Sequence, residues 1–147
     1  MVVREVDFPP IWLAGFAGVG ALANRLYPTA LMGGHLVGGT LAGFAVVLMV
    51  AAALQMTMAG TSVIPGRDPS QLVTGGLFRL SRNPIYLADT LLLTGLFLYW
   101  HAAISLPLVP LFMYLIQKRF IEPEEARLAR KFGERYENYK RRTRRWI

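Results

Sequence analysis

The sequence predicts an all-α protein: an integral membrane bundle of four transmembrane helices with a cytoplasmic C-terminal amphipathic helix. Three observations predict it. Hydrophobic residues make up 54% of the 147 residues and mean hydropathy is +0.38, more apolar than a soluble domain of this length. The net charge is nevertheless +7, and it is segregated: of sixteen Lys and Arg, eleven lie from Lys118 onward. Finally, the apolar residues fall into four stretches of helical length.

The first stretch runs from Ile11 to Tyr27, and its seventeen residues make a helix of roughly 26 Å, just enough for a hydrocarbon core. Pro9 and Pro10 precede it and Pro28 follows it, as suits helix ends. The second, His35 to Ala59, is long enough to cross with tilt. The third, Pro84 to Trp100, and the fourth, Ala102 to Gln117, read as a tight hairpin around His101. Pro107 and Pro110 make the start of the fourth irregular. Residues 118–147 form a tail, and the whole chain, 1–147, reads as one domain.

In the tail, Pro123 suits a first helical turn, and Glu122, Glu124 and Glu125 sit where a helix dipole favours negative charge. Phe132, Tyr136 and Tyr139 recur on one helical face. With Lys and Arg opposite and Trp146 at the end, the tail is expected to lie on an anionic cytoplasmic leaflet. Beside four membrane segments, the run Lys140-Arg141-Arg142-Thr143-Arg144-Arg145 is read as membrane-facing, and no nucleic-acid partner is expected.

Charge orients the bundle. Four crossings put Arg4, Arg67, Arg79, Arg82 and the tail cations on one side and Arg25 alone on the other, a split of fifteen to one. The positive-inside rule then places both termini in the cytoplasm, with the cell inner membrane as the location. Ala21-Leu22-Ala23 mimics a signal-peptide cleavage site, but Glu5 and Asp7 accompany Arg4 ahead of the apolar run, so a retained helix is expected.

Other chemistries are weak. There is no cysteine, hence no disulfide, thiolate nucleophile or thiolate metal site. His35 and His101 have no ligand partner at helical spacing, and no metal is expected. Gly18-Val19-Gly20-Ala21-Leu22-Ala23 imitates a dinucleotide fingerprint but lies inside an apolar helix with no strand before it. Gly34 and Gly38, then Gly39 and Gly43, are small residues four apart that let helices approach closely, or let a ligand reach bare backbone. Gln55 and Thr57 line a pocket or sit at the interface. Asp89 is a carboxylate inside a membrane segment, a functional candidate that could instead pair with Arg79 or Arg82.

The most informative stretch is Leu72-Val73-Thr74-Gly75-Gly76-Leu77-Phe78-Arg79-Leu80-Ser81-Arg82-Asn83-Pro84-Ile85-Tyr86. Thr74-Gly75-Gly76 offers a turn whose N–H groups can face a ligand. Asn83 before Pro84 fixes the entry to a helix, and its amide both donates and accepts. Phe78 and Tyr86 supply aromatic faces for a ring or a cation. About forty residues later come Glu122-Pro123-Glu124-Glu125-Ala126-Arg127-Leu128, then Phe132-Gly133-Glu134-Arg135-Tyr136 and Tyr139.

Together these motifs resemble the isoprenylcysteine carboxyl methyltransferase family and its relatives the phospholipid methyltransferases, over roughly Gly60 to Ile147. The resemblance implies a membrane enzyme that uses S-adenosylmethionine and releases S-adenosylhomocysteine. It implies cofactor contacts at Ser70, Gln71, Leu72, Val73 and Phe78, and at the motif Asn83, Pro84, Ile85, Tyr86. The family usually has His at the position of Asn83, although an Arg-Asn-Pro version is familiar among its bacterial relatives. The change keeps hydrogen bonding and removes a titratable group. Glu124 matches a glutamate that holds the cofactor's amino group. An arginine just before it orients the methyl acceptor, for which Arg119 is the candidate and Lys118 the alternate. The candidate catalytic residues are Arg119, Arg82 and Asp89.

The expected reaction is methyl transfer to a lipidated or hydrophobic acceptor. With few neutral-pH bases and with Arg82, Lys118 and Arg119 near by, a carboxylate such as a prenylcysteine-like group is preferred over an amine. The alternatives are a phospholipid amine N-methyltransferase, a member of the family that binds without catalysing, and a non-enzymatic four-helix transporter with Asp89 as its coupling residue. Sequence leaves the acceptor and the oligomeric state open.

Overall fold

The structure is a computed structural model and describes residues 8–147; Arg4, Glu5 and Asp7, used above to orient the chain, lie outside the described residues. Its elements are helices: α1 Pro9–Leu26, α2 Gly34–Met58, α3 Pro84–Tyr99, α4 Leu108–Ile116, α5 Glu122–Phe132 and α6 Glu134–Arg142, with 3₁₀ turns at Gly76–Arg79 and Ala103–Ser105. Proline opens α1 and α3 at the first helical positions, where a missing N–H costs nothing because no acceptor exists for it.

The centre of the bundle is α3, against which α1, α2 and α4 all pack. Glycine sets how closely α2 approaches. A Cβ on Gly38 would lie 2.3 Å from the Tyr99 N and 2.5 Å from the Gly95 O, and one on Gly95 would meet the Ala42 N at 2.7 Å. The two backbones therefore touch, the geometry that small residues permit in membrane helices. Gly34 and Gly39 also border α3, at Leu98 and the Tyr99 ring, whereas Gly43 faces open space. On the other side of α3 the core is Leu93, Phe97, Phe112, Ile116, Phe120 and Ile121, closed by Trp12 and Phe16 of α1.

The α1–α2 and α3–α4 connections meet at one end, where the Thr29 N–H donates to the His101 carbonyl at 2.9 Å. The long loop from Ala59 to Asn83 and helices α5 and α6 gather at the other. Two helical stretches among the described residues are long and apolar enough to cross a membrane: Gly34–Met58 and the continuous run Ala103–Phe132. A third apolar helix, Pro84–Tyr99, is shorter.

Two expectations about the C-terminal part need correction. The fourth segment does not stop at Gln117. A π-helical turn, Gln117–Ile121, joins α4 directly to α5. Pro123 explains the widening: it lacks an N–H and its ring must clear the carbonyl four residues earlier, that of Arg119. Nor is the tail a single amphipathic helix. It breaks at Gly133, whose φ of +51° is open to glycine at little cost. Beyond the break α6 turns back, and Tyr136 and Tyr139 bury themselves against Phe78 and Ala52. Their aromatic face packs on the protein's own loop.

Candidate functional site

The site begins with a loop pinned to the end of α2. The Gln55 Nε2 donates to the Gly75 carbonyl at 2.6 Å, and the Leu77 N–H donates to the Gln55 Oε1 at 3.1 Å. Sequence leaves Gln55 either to line a pocket or to sit at the interface; it holds the loop in place and does not line the cavity that this loop borders. Further back, the Ser70 N–H donates to the Thr61 Oγ1 at 3.1 Å. The Tyr139 hydroxyl donates to the Phe78 carbonyl at 2.6 Å, fixing the loop from the tail side.

The segment Ser81–Asn83 is threaded under the end of the chain. The Arg82 N–H donates to the Arg144 carbonyl at 2.9 Å. The Asn83 Nδ2 and the Ser81 Oγ both donate to the Arg145 carbonyl, at 3.1 and 3.3 Å. Arg82 itself is half-buried: its Nη1 donates to the Thr143 carbonyl at 2.7 Å and its Nη2 to the Glu125 Oε1 at 2.9 Å. The Arg145 Nη2 donates to the other Glu125 oxygen at 2.7 Å. Burial pushes the Glu125 carboxyl up, but the hydrogen bonds and charges of Arg145 and Arg82 outweigh it and hold the group below the usual carboxylate range.

Its neighbour Glu124 points elsewhere. Adjacent helical residues project about 100° apart, so one carboxylate enters the arginine clamp and the other faces a cavity. The Tyr86 hydroxyl donates to the Glu124 Oε1 at 2.9 Å. Burial pushes the Glu124 carboxyl up to about 7, against the downward pull of Tyr86 and of the Arg127 charge.

That cavity, of about 440 Å³, lies between the C-terminal half of α2, the start of α3, α5 and the loop. Of the ten residues read from sequence as cofactor contacts, Gln71, Leu72, Val73, Phe78, Asn83, Pro84, Ile85, Tyr86 and Glu124 line it. Ser70 does not; its N–H is bonded to Thr61, which does. Of the three candidate catalytic residues, Arg82 and Asp89 line the cavity and Arg119 does not. Arg119 is carried away by the π turn and lies over the Trp12 ring at 5.1 Å. Its alternate, Lys118, pairs with Glu122 at 3.1 Å. Arg82 borders the cavity, but its charge is spent on Glu125.

The residue that sequence reasoning missed is Arg127. It lines the cavity, and its Nη1 donates to the Gly66 carbonyl at 3.4 Å. The signal was present: Arg127 stands three residues after Glu124 on one helix, the spacing at which side chains share a face. Glu124 and Arg127 together suit a zwitterion, the carboxylate taking an ammonium and the guanidinium a carboxylate. An amino-acid moiety such as that of S-adenosylmethionine fits this donor set. Among the described residues no group of three His, Asp or Glu could hold a metal ion.

A family model for phospholipid methyltransferase matches residues 33–135, a span that takes in α2, the loop, Asn83 to Tyr86 and Glu124. No curated protein and no solved structure matches the chain significantly. A match over more than half of the chain, on the elements that wall the cavity, shows that this chain belongs to the phospholipid methyltransferase family, whose members are membrane methyltransferases.

Proposed function

We propose that the protein transfers a methyl group from S-adenosylmethionine to a lipid amine, in the cavity between α2, α3, α5 and the Thr61–Phe78 loop. One observation supports this above all: a single cavity gathers Asn83, Tyr86, Glu124, Arg127 and Asp89. These residues come from segments about forty positions apart, and a four-helix transporter gives no reason for them to converge. When bound, the cofactor supplies a methyl group activated by a sulfonium centre.

The chain's own residues account for the rest. Glu124 and Arg127 hold the two charges of the amino-acid moiety. The Asn83 side-chain amide donates to Arg145, which leaves its carbonyl to accept from an adenine amino group. Phe78 and Leu72 offer apolar surface to the same ring. Fixing donor and acceptor in one cavity lowers the entropic part of the barrier.

The acceptor reading shifts with the geometry. The preference for a carboxylate rested on cations beside the pocket, yet Arg82 is committed to Glu125 and Arg119 sits over Trp12. The cavity is also lined by Asp89, a buried carboxylate. A lipid ammonium has a pKa of about 10 and must lose a proton before its nitrogen attacks. An Asp89 carboxylate oxygen would attract the ammonium and take that proton. A carboxylate acceptor is the second reading, and it requires a cation besides Arg127, for which Arg67 at the cavity wall is the candidate.

The deciding experiment is a methyl-transfer assay on the solubilised protein with lipid amines and lipid carboxylates, from about pH 6 to about pH 9. Amines are expected to turn over, faster as pH rises. Asp89→Asn should cut amine turnover at least 100-fold, within the range for loss of a general base, with S-adenosylhomocysteine binding unchanged. Glu124→Ala should weaken that binding roughly tenfold to a hundredfold. Faster methylation of carboxylates, indifferent to Asp89→Asn, would establish the second reading.

A further inference from the structure

A second cleft, of about 600 Å³, lies behind the loop. Leu72 and Tyr139 line both it and the first cavity, so the two share a wall. Its charged residues are of one sign. Arg79 enters from the end of the 3₁₀ turn, while Arg135 and Arg142 come from α6 at a spacing that places them on one face. No Asp or Glu lines the cleft, and among the described residues none of these arginines is in an ion pair. Three acids of the tail are engaged elsewhere, Glu122 and Glu125 with Lys118, Arg82 and Arg145, and Glu137 with Lys140, and Glu134 does not line the cleft.

The cleft also has a defined depth. Gln55, in the last turn of α2, holds Gly75 and Leu77, so Arg79 lies close to where an apolar helix ends. Leu80 follows it and is 70% exposed. An exposed leucine next to an arginine at a helix end matches the boundary between acyl chains and headgroups.

We propose that the Arg79–Arg135–Arg142 cleft binds a phosphate group, supplied by the headgroup of an anionic phospholipid. Guanidinium groups present paired donors to phosphate oxygens and keep their charge at any accessible pH. An occupied cleft bears on the methyl-transfer cavity, because the Tyr139 hydroxyl ties the shared wall to the Phe78 carbonyl. The inference is independent of which acceptor is methylated.

The test uses the full chain in detergent, titrated by calorimetry with inorganic phosphate and, separately, with short-chain phosphatidylglycerol. Saturable phosphatidylglycerol binding is expected. Arg79→Gln and Arg142→Gln should each weaken it about tenfold, while Arg130→Gln, on α5 outside the cleft, should leave it unchanged. Saturable binding of inorganic phosphate alone, with the same variant pattern, would keep the site and assign it a soluble ligand. Absence of saturation with both probes, or equal weakening by Arg130→Gln, would overturn the proposal in favour of diffuse surface charge. Should the variants misfold, the wild type still decides: phosphatidylglycerol or phosphate must protect Arg79 and Arg142, and not Arg130, from an arginine-modifying dicarbonyl.

Discussion

Glu124 and Glu125 are neighbours in sequence and have opposite electrostatics. Glu125 is held below its ordinary pKa by Arg145 and Arg82 against the upward push of burial, so its ionised form stabilises the fold. That contribution is fully present above the unfolded carboxylate pKa, about 4.3, and is lost as pH falls through the lower folded value. Glu125→Gln leaves two guanidiniums partly buried without their counter-charge. Its cost at neutral pH should be on the order of 3 kcal/mol, seen as a lower unfolding temperature in detergent. The gap to wild type should begin to shrink as pH drops below about 4.3, where the unfolded chain takes up the proton, and close as pH falls through the lower folded value. A gap independent of pH would mean that the clamp is held by shape and not by charge. At this scale the motif residues Asn83, Tyr86 and Glu124 were legible because their chemistry is local. The arginines were not. Whether Arg82, Arg119 or Arg127 faces the cavity depends on a π turn and on a partner carboxylate, neither of which a spacing rule contains.

At the level of elements, the bounds of α1, α2 and α3 were readable to within two residues, since Pro9, Pro28, Gly33 and Pro84 punctuate them. Between Gln117 and Glu122 no such residue occurs, so the passage of α4 into α5 was invisible. The role of Pro123 was readable only in part: it suits a helix start, and here it also forces the preceding turn to widen. The glycine pairs marked close approach without saying which member mattered. Gly38→Ala would drive a methyl into the α3 backbone and should cost about 1–3 kcal/mol, while Gly43→Ala, facing open space, should stay within about 0.5 kcal/mol of wild type. Thermal unfolding of the two variants separates them. Equal effects would refute the α2–α3 contact.

For the whole molecule, charge segregation and structure agree on which parts belong together. The loop carrying Arg67, Arg79 and Arg82 and the basic tail gather at one end, and the Pro28 and His101 turns meet at the other. Four crossings with both ends cytoplasmic follow as a proposal. A topology reporter placed after Ile147 should read cytoplasmic, and one in the Pro28–Gly33 connection should read external. The opposite pattern would put the cavity on the side away from a cytosolic methyl donor and would sink the proposed reaction. Composition made the helical bundle legible, and charge gives its orientation as a proposal. The fold-back of α6 was not, because it depends on one left-handed glycine and on aromatic residues that bury equally well in lipid or in protein.

The carbonyl of Arg145 that receives Asn83 lies 62 residues downstream of it, and this fixes an order of assembly. A chain is made from its N-terminus, so α1 to α3 precede α6 and the irregular segment beyond it in synthesis. During that interval the motif around Asn83 has its closing partner still unmade. On the proposed reading, the site is therefore completed only once Arg144 and Arg145 have been made, and a ribosome that stops before Arg144 would leave the Asn83 motif without its closing partner.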